Sequence, residues 1–241
     1  MSAQPKVAEV LPLLYLHGLL SLDFAPALEG LFGTAAGLPA SAVTRLATQW
    51  QAEREALLRR GLADRDYGYC WADGIHFNTR LEDGRLCCLV IVGVRADATK
   101  ELIAVADGER ESGDAWAELL RDLRRRGMRA PVVMVGDGAL GLWRALGEVF
   151  PATREQRCWV HKVANVLGAL PKSVHAGARR ALNEIIQAED RPHAEQAIQA
   201  LVTDYGAKWP KAVAKVVDDA EALLCFFDFP GRALAAPADH G

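Results

Sequence analysis

Charge excess, long apolar runs and paired cysteines are all scarce in this 241-residue chain. Its 28 Lys and Arg stand against 31 Asp and Glu, a net charge of −3. That excludes a nucleic-acid binder resting on overall charge and moves the question to local distribution. The longest strongly apolar stretch, LCCLVIVGV, is strand-sized rather than membrane-sized. No secretory leader pattern opens the chain. The five cysteines, Cys70, Cys87, Cys88, Cys158 and Cys225, are odd in number and fit reduced thiols better than a disulfide framework. A cytoplasmic protein without a membrane segment is the expectation. No internal repeat or low-complexity tract is present. What charge there is comes in runs. RDLRRRGMR, residues 121–129, carries five arginines against one aspartate, and residues 154–180 carry six Lys or Arg against one Glu. Either is a solvated helix face or a basic patch.

Residues 8–62 read as helical. SLDFAPALEGLFG has apolar residues at helical spacing, with Ser21 and Asp23 as capping candidates and Gly33 as a stop. PASAVTRLATQWQAEREALLRR resumes the period with Ser41 as N-cap, and helix, turn, helix is the outline of a helix-turn-helix. The texture changes at Tyr67. YGYCWADGIHFNTRL, RLCCLVIVGVRAD and TKELIAVADG read as three consecutive strands, the first two joined at EDG. SGDAWAELLRDLRRRG is an amphipathic helix opened by Ser112, APVVMVGDG a short buried strand, and ALGLWRALGEVF a helix. REQRCWVHKV is a possible fifth strand, with helices from about residue 163 to 226. The order β-β-β-α-β-α-β is that of an α/β, ribonuclease H-like mixed sheet, here with an N-terminal helical region and a C-terminal helical insertion.

In that order the first strand lies centrally and the fourth pairs beside it. An acid midway along the first and one ending the fourth then meet on one sheet edge. Asp73, in CWADGIHF, and Asp137, in VVMVGDG, hold those positions. A carboxylate among apolar strand residues is costly unless paired or bound to a cation, and two converging carboxylates suit a divalent metal and phosphoryl transfer. Plainer roles stay open: Asp137 as a turn residue capping the helix near Ala139, Asp73 as a turn residue in ADG. GDG after a buried strand also fits a haloacid dehalogenase-like metal loop. That reading lacks its D-x-D motif, because Trp71 stands two residues before Asp73. Cys158 and His161 have Cys-x2-His spacing, half of a zinc site, but adjacent Cys87 and Cys88 would face opposite ways on a strand. A buried cysteine with a hydrogen-bonding histidine at a strand end is the simpler expectation.

LPLLYLHGLLSLDF, YCWADGIHF, ATKELIAVADGERES, LLCFFDFP and above all DGALGLWRAL…FP…QRCWVHK resemble the bacterial Mutator-type insertion-sequence transposases, from about residue 8 to Pro230. The resemblance implies a DDE transposase that cuts the inverted-repeat ends of its element and joins the freed 3′-hydroxyls to target DNA, using Mg2+ or Mn2+. It implies Asp73 and Asp137 as the first two catalytic, metal-binding acids and Cys158 and His161 as the family's C-x2-H motif. DNA is the implied partner, with a homo-oligomer when full length. Arg124, Arg125, Arg126, Arg157 and Lys162 are the candidate DNA contacts. The implied domains are 1–64, the helical end of the DNA-binding region; 65–165, the catalytic core; and 166–230, the helical insertion.

Residues 231–241 leave the family pattern. After FDFP the family continues approximately A-E-H-W-x-H-L-R-T-T-N-x-I-E, whose final Glu is the third catalytic acid, whereas this chain reads GRALAAPADHG. A codon string for that tail, shifted by one nucleotide, reads A-E-H-W-R-H-L-R-T-T, so a frame slip near codon 231 is expected. A chain truncated at both ends relative to the family, with little or no strand-transfer activity, follows from that reading. Asp228, Glu221 and Asp239 are the remaining substitutes for the third acid.

Overall fold

Aromatic and β-branched residues in alternation build three long strands, Tyr67–Phe77 (β1), Leu86–Arg95 (β2) and Lys100–Gly108 (β3). The structure, a computed structural model, describes residues 40–77, 86–108 and 112–229. The first expected helix with Ser21, Asp23 and Gly33, the EDG turn, and the tail with Asp239 lie outside the described residues. So does the helix-turn-helix pairing that depends on the first helix.

β1 and β2 pair antiparallel from Tyr67↔Arg95 to Phe77↔Leu86. β2 and β3 pair antiparallel with a register shift between Ile91 and Val92. Val133–Gly136 (β4) joins β1 in parallel and Arg154–Arg157 (β5) joins β4 in parallel, giving the order β3-β2-β1-β4-β5. The sheet is mixed, and its element sequence is the β-β-β-α-β-α-β expected. β4 is only four residues long and buried throughout, as a strand covered on both faces must be.

Gly113–Arg125 (α2) starts where the Ser112 hydroxyl accepts the Ala115 N–H at 3.2 Å, as its sequence predicts. Its apolar stripe, Trp116, Leu119, Leu120 and Leu123, packs with Leu142, Ala145, Leu146 and Val149 of Leu140–Val149 (α3) against Cys70, Leu89, Ile91 and Ile103 of the sheet. A helix over Ala40–Arg59 (α1) precedes the sheet. It already includes Ser41, which is therefore inside the helix rather than capping it.

The CWVHKV half of the expected fifth strand is helical instead. β5 stops at Arg157 and, after Cys158 alone, Trp159–Leu167 (α4) begins. Its buried residues Trp159, Val166 and Leu167 recur at helical spacing and face other helices. These are His175–Ile186 (α5), Arg191–Tyr205 (α6), Pro210–Val217 (α7) and Ala220–Leu224 (α8). Together they enclose a second core that includes Leu182, Ile185, Ile198, Leu201, Val216, Leu223 and Phe226. Gln156, 3% exposed, joins the two cores. Its amide donates to the Leu223 carbonyl at 3.0 Å and accepts the Phe226 N–H at 2.8 Å, and the Trp159 indole donates to the same Leu223 carbonyl at 3.1 Å.

Candidate active site

The β1–β4 register runs Tyr69↔Val133, Cys70↔Met134, Trp71↔Val135. Asp73 and Asp137 each stand two residues beyond the last of these pairs, on strands that lie about 4.8 Å apart where they pair. Asp73 belongs to β1 and to no turn, which removes the turn reading of ADG. Alternation points it away from the buried Cys70 and Ala72, and it is exposed. Asp137 follows the last residue of β4 and is half-buried.

Two glycines shape this loop. A Cβ on Gly136 would come within 2.6 Å of Leu142 and 2.9 Å of Trp143, so only glycine admits this closeness to α3. Gly138 has φ +94°, the left-handed region that favours glycine. The turn lets Oδ1 of Asp137 accept the Ala139 N–H at 2.8 Å just ahead of α3. The turn role is thus observed, but not a cap: the N-cap of α3 is Ala139, without a side-chain cap bond, and the Asp137 bond occupies one carboxylate oxygen while the other keeps its acceptor capacity.

Two of the candidate third acids, Asp228 and Glu221, are held in other ion pairs. Asp228 is ion-paired to Arg154 at 3.0 Å and to Arg191 at 3.0 Å, and Glu221 is held by the same Arg191. Arg154 opens β5 beside Val133, whereas Arg157 closes it beside Gly136. Arg154, the partner of Asp228, thus stands three residues of strand, roughly 10 Å, from the Arg157 end of β5. Among the described residues, no group of three or more His, Cys, Asp and Glu could hold a metal ion.

Cys158 and His161 fall in a different setting from the one expected. Cys158, half-buried, is the N-cap of α4, with its N–H donating to Gly136 O at 2.8 Å, and His161 lies in the first turn of α4 rather than at a strand end. The His161 Nδ1 is buried with no hydrogen-bond partner among the described residues. Two residues on one helix face make half a tetrahedral site at most.

The basic candidates divide. Arg124 and Arg125 are exposed on α2, Arg125 paired with Asp122 at 2.6 Å. Arg126 is not a surface contact. Its side chain is 8% exposed and donates to the carbonyls of Leu57 at 2.7 Å and Ile103 at 3.1 Å, fastening the end of α1 to the sheet. Burial and desolvation pull its guanidinium below its ordinary range. Arg157 and Lys162 also turn inward, 16% and 4% exposed, and both pair with Asp219. Asp219 went unnoticed in the sequence because nothing in VVDDA distinguishes it from a helix-end carboxylate. None of the five cysteines is in a disulfide, and burial pushes the Cys70 and Cys225 thiols up.

The profile of the Mutator family of transposases matches residues 2–237. The chain is 59% identical over 226 residues to the transposase for insertion sequence element IS6120 of Mycolicibacterium smegmatis, covering 94% of this chain and 70% of that one. It is 46% identical over 206 residues to the transposase for insertion sequence element IST2 of Acidithiobacillus ferrooxidans, covering 82% and 67%. A simian T-cell lymphotropic virus intasome structure, in complex with PP2A regulatory subunit B56 gamma, superposes with a TM-score of 0.27 at 15% identity over 73% of this chain and 57% of that one. At that score the superposition says nothing about the site.

Proposed function

This chain belongs to the Mutator family of transposases, and on that premise we propose that it is the strand-cutting part of an insertion-sequence transposase of the DDE type. Its sheet is read as ribonuclease H-like, supported by the order β3-β2-β1-β4-β5 in which β2 runs against the other four strands. The observation that carries the reading is the β1–β4 register, whose last pair, Trp71↔Val135, lies two residues before Asp73 on one strand and two before Asp137 on the other.

Both side chains are hard oxygen donors, one exposed and one half-buried, and suit Mg2+ or Mn2+ better than a thiol-seeking metal. When bound, such ions would activate a hydroxyl and stabilise the leaving oxygen of a phosphodiester. Asp73 and Asp137 would hold them, while the Asp137–Ala139 turn fixes one carboxylate oxygen and leaves the other to face the cation. DNA ends and target DNA are the proposed partners, with oligomerisation setting two ends side by side. The exposed Arg124 and Arg125 remain proposed phosphate contacts.

A second reading has one observation in its favour: no third carboxylate among the described residues reaches the pair. On that reading the chain binds DNA without cutting it, or poisons an intact copy. Titrating the purified chain with Mn2+ tests the site. Binding is expected in the wild type and lost in Asp137→Asn; equal binding by both sinks the proposed metal site. Metal-dependent cleavage of the element's inverted-repeat ends, abolished by Asp137→Ala, would decide for the enzyme. Salt-dependent binding of those ends without cleavage would decide for the remnant.

A further inference from the structure

Two of the inward-turned cations, Arg157 and Lys162, meet at Asp219, and Arg157 lies beside the Asp137 loop. Arg157, at the end of β5, is paired in register with Gly136. Its guanidinium fills the space that any side chain at residue 138 would need. The Nη2 of Arg157 ion-pairs with Asp219 at 3.1 Å, while its Nε is buried without a partner among the described residues. Asp219, just before α8, also takes the ammonium of Lys162, whose other bond goes to the Lys215 carbonyl in α7 at 2.8 Å. One carboxylate from the helical region therefore grips two core cations, and one of those lies against the backbone next to Asp137.

We propose that Arg157 is the positioning residue for Asp137, clamped by Asp219, so that docking of residues 210–224 and the shape of the carboxylate loop are a single event. The proposal rests on the reading of Asp137 as a metal ligand. A guanidinium suits the task where an ammonium does not. Its plane covers the Gly138 backbone while its fork still reaches Asp219. Groups that orient a metal ligand are commonly worth one to two powers of ten in metal affinity.

Amide exchange at Ala139, whose N–H is bonded to Asp137, reads the loop; Mn2+ titration reads the carboxylate. Both are made on the whole 241-residue chain. In Arg157→Lys, which keeps the charge, Ala139 is expected to exchange roughly tenfold faster and Mn2+ to bind roughly tenfold more weakly, with α2 exchange and Tm unchanged. Unchanged exchange at Ala139 overturns the proposal, and so does faster exchange that spreads to α2 with a lowered Tm. Asp219→Asn strands Lys162, so Asp219→Asn with Lys162→Met is the second variant: fast exchange at Ala139 supports the clamp, and wild-type exchange there overturns it. Asp137→Asn separates the two ideas. If it leaves Mn2+ binding intact, the metal reading fails while the exchange result still tests the clamp.

Discussion

The two ends of the sheet handle charge in opposite ways. At one end a single carboxylate, Glu101 at the start of β3, gathers Arg65 at 2.7 Å, Arg95 at 2.8 Å, Arg60 at 3.3 Å and the Tyr67 hydroxyl at 2.6 Å. At the other end Asp73 has no ion pair among the described residues, and Asp137 has one hydrogen bond, from a backbone N–H. A carboxylate saturated by guanidinium groups is part of the framework and has nothing left for a ligand. Carboxylates left without cations at a strand end cost stability and retain the capacity to bind one. The contrast separates structural acids from candidate catalytic ones more sharply than their sequence surroundings do.

Substitution should expose that difference, and Glu101 should give the largest effect. Glu101→Ala strands three half-buried guanidinium groups and is expected to cost about 3–5 kcal/mol, the range for breaking a buried ion pair from one side. Denaturant unfolding measures it; a loss below about 1 kcal/mol would show that the network is ornamental. The same carboxylate gives a pH signature. Burial works to raise its pKa, but the bonds from Arg95 and Tyr67 and the charges of Arg60 and Arg65 hold it below the usual glutamate value of 4.5. Its contribution is therefore present above the unfolded value and lost as pH falls through the lower folded one. Between neutrality and pH 4.5 the wild type should lose little on account of Glu101, and below 4.5 it should lose this term. Glu101→Gln should flatten that acid limb. The same network pushes the Tyr67 hydroxyl up to about 12, by burial first and then by its bond to Glu101.

Asp219→Asn comes second. It leaves Lys162, 4% exposed, facing neutral acceptors without a counter-charge, and a loss of about 2–4 kcal/mol is expected. Adding Lys162→Met should recover most of it, because an apolar side chain there needs no partner. Failure of that recovery would mean that the contacts of Asp219 with Arg157, rather than the stranded ammonium, carry the energy.

These pairs also mark where the sequence was legible. Periodicity revealed α2, and an apolar run ending in an acid revealed β4 and Asp137, because those signals are local. The parallel pairing of β1 with β4, on which the Asp73–Asp137 proposal rests, was readable from the element order. The start of α4 was hidden because Cys158 makes no side-chain cap and REQRCWVHKV alternates well enough to pass for a strand. Arg126 and Lys162 read as surface charges because a run of cations carries no record of burial. Their partners, the Leu57 carbonyl and Asp219, lie 69 and 57 residues away. Long-range pairing of this kind is set by packing, and a single chain's pattern does not encode it locally.

The smallest effect on stability belongs to the residues given the largest functional weight. Asp73 is exposed and has no cation among the described residues, so Asp73→Asn removes a charge without stranding a partner. Its change in unfolding free energy should fall within about 0.5 kcal/mol, the usual range for a surface site. Asp137→Asn keeps the side-chain oxygen that accepts the Ala139 N–H, so it too should unfold close to the wild type. Mn2+ titration should reverse the order, with both variants losing the binding that Glu101→Gln retains. Were Asp73→Asn to cost several kcal/mol, the carboxylate would have to be satisfied inside the fold as Glu101 is. The two ends of the sheet would then differ in degree only, and the case for a metal at the Asp73–Asp137 edge would lose its footing.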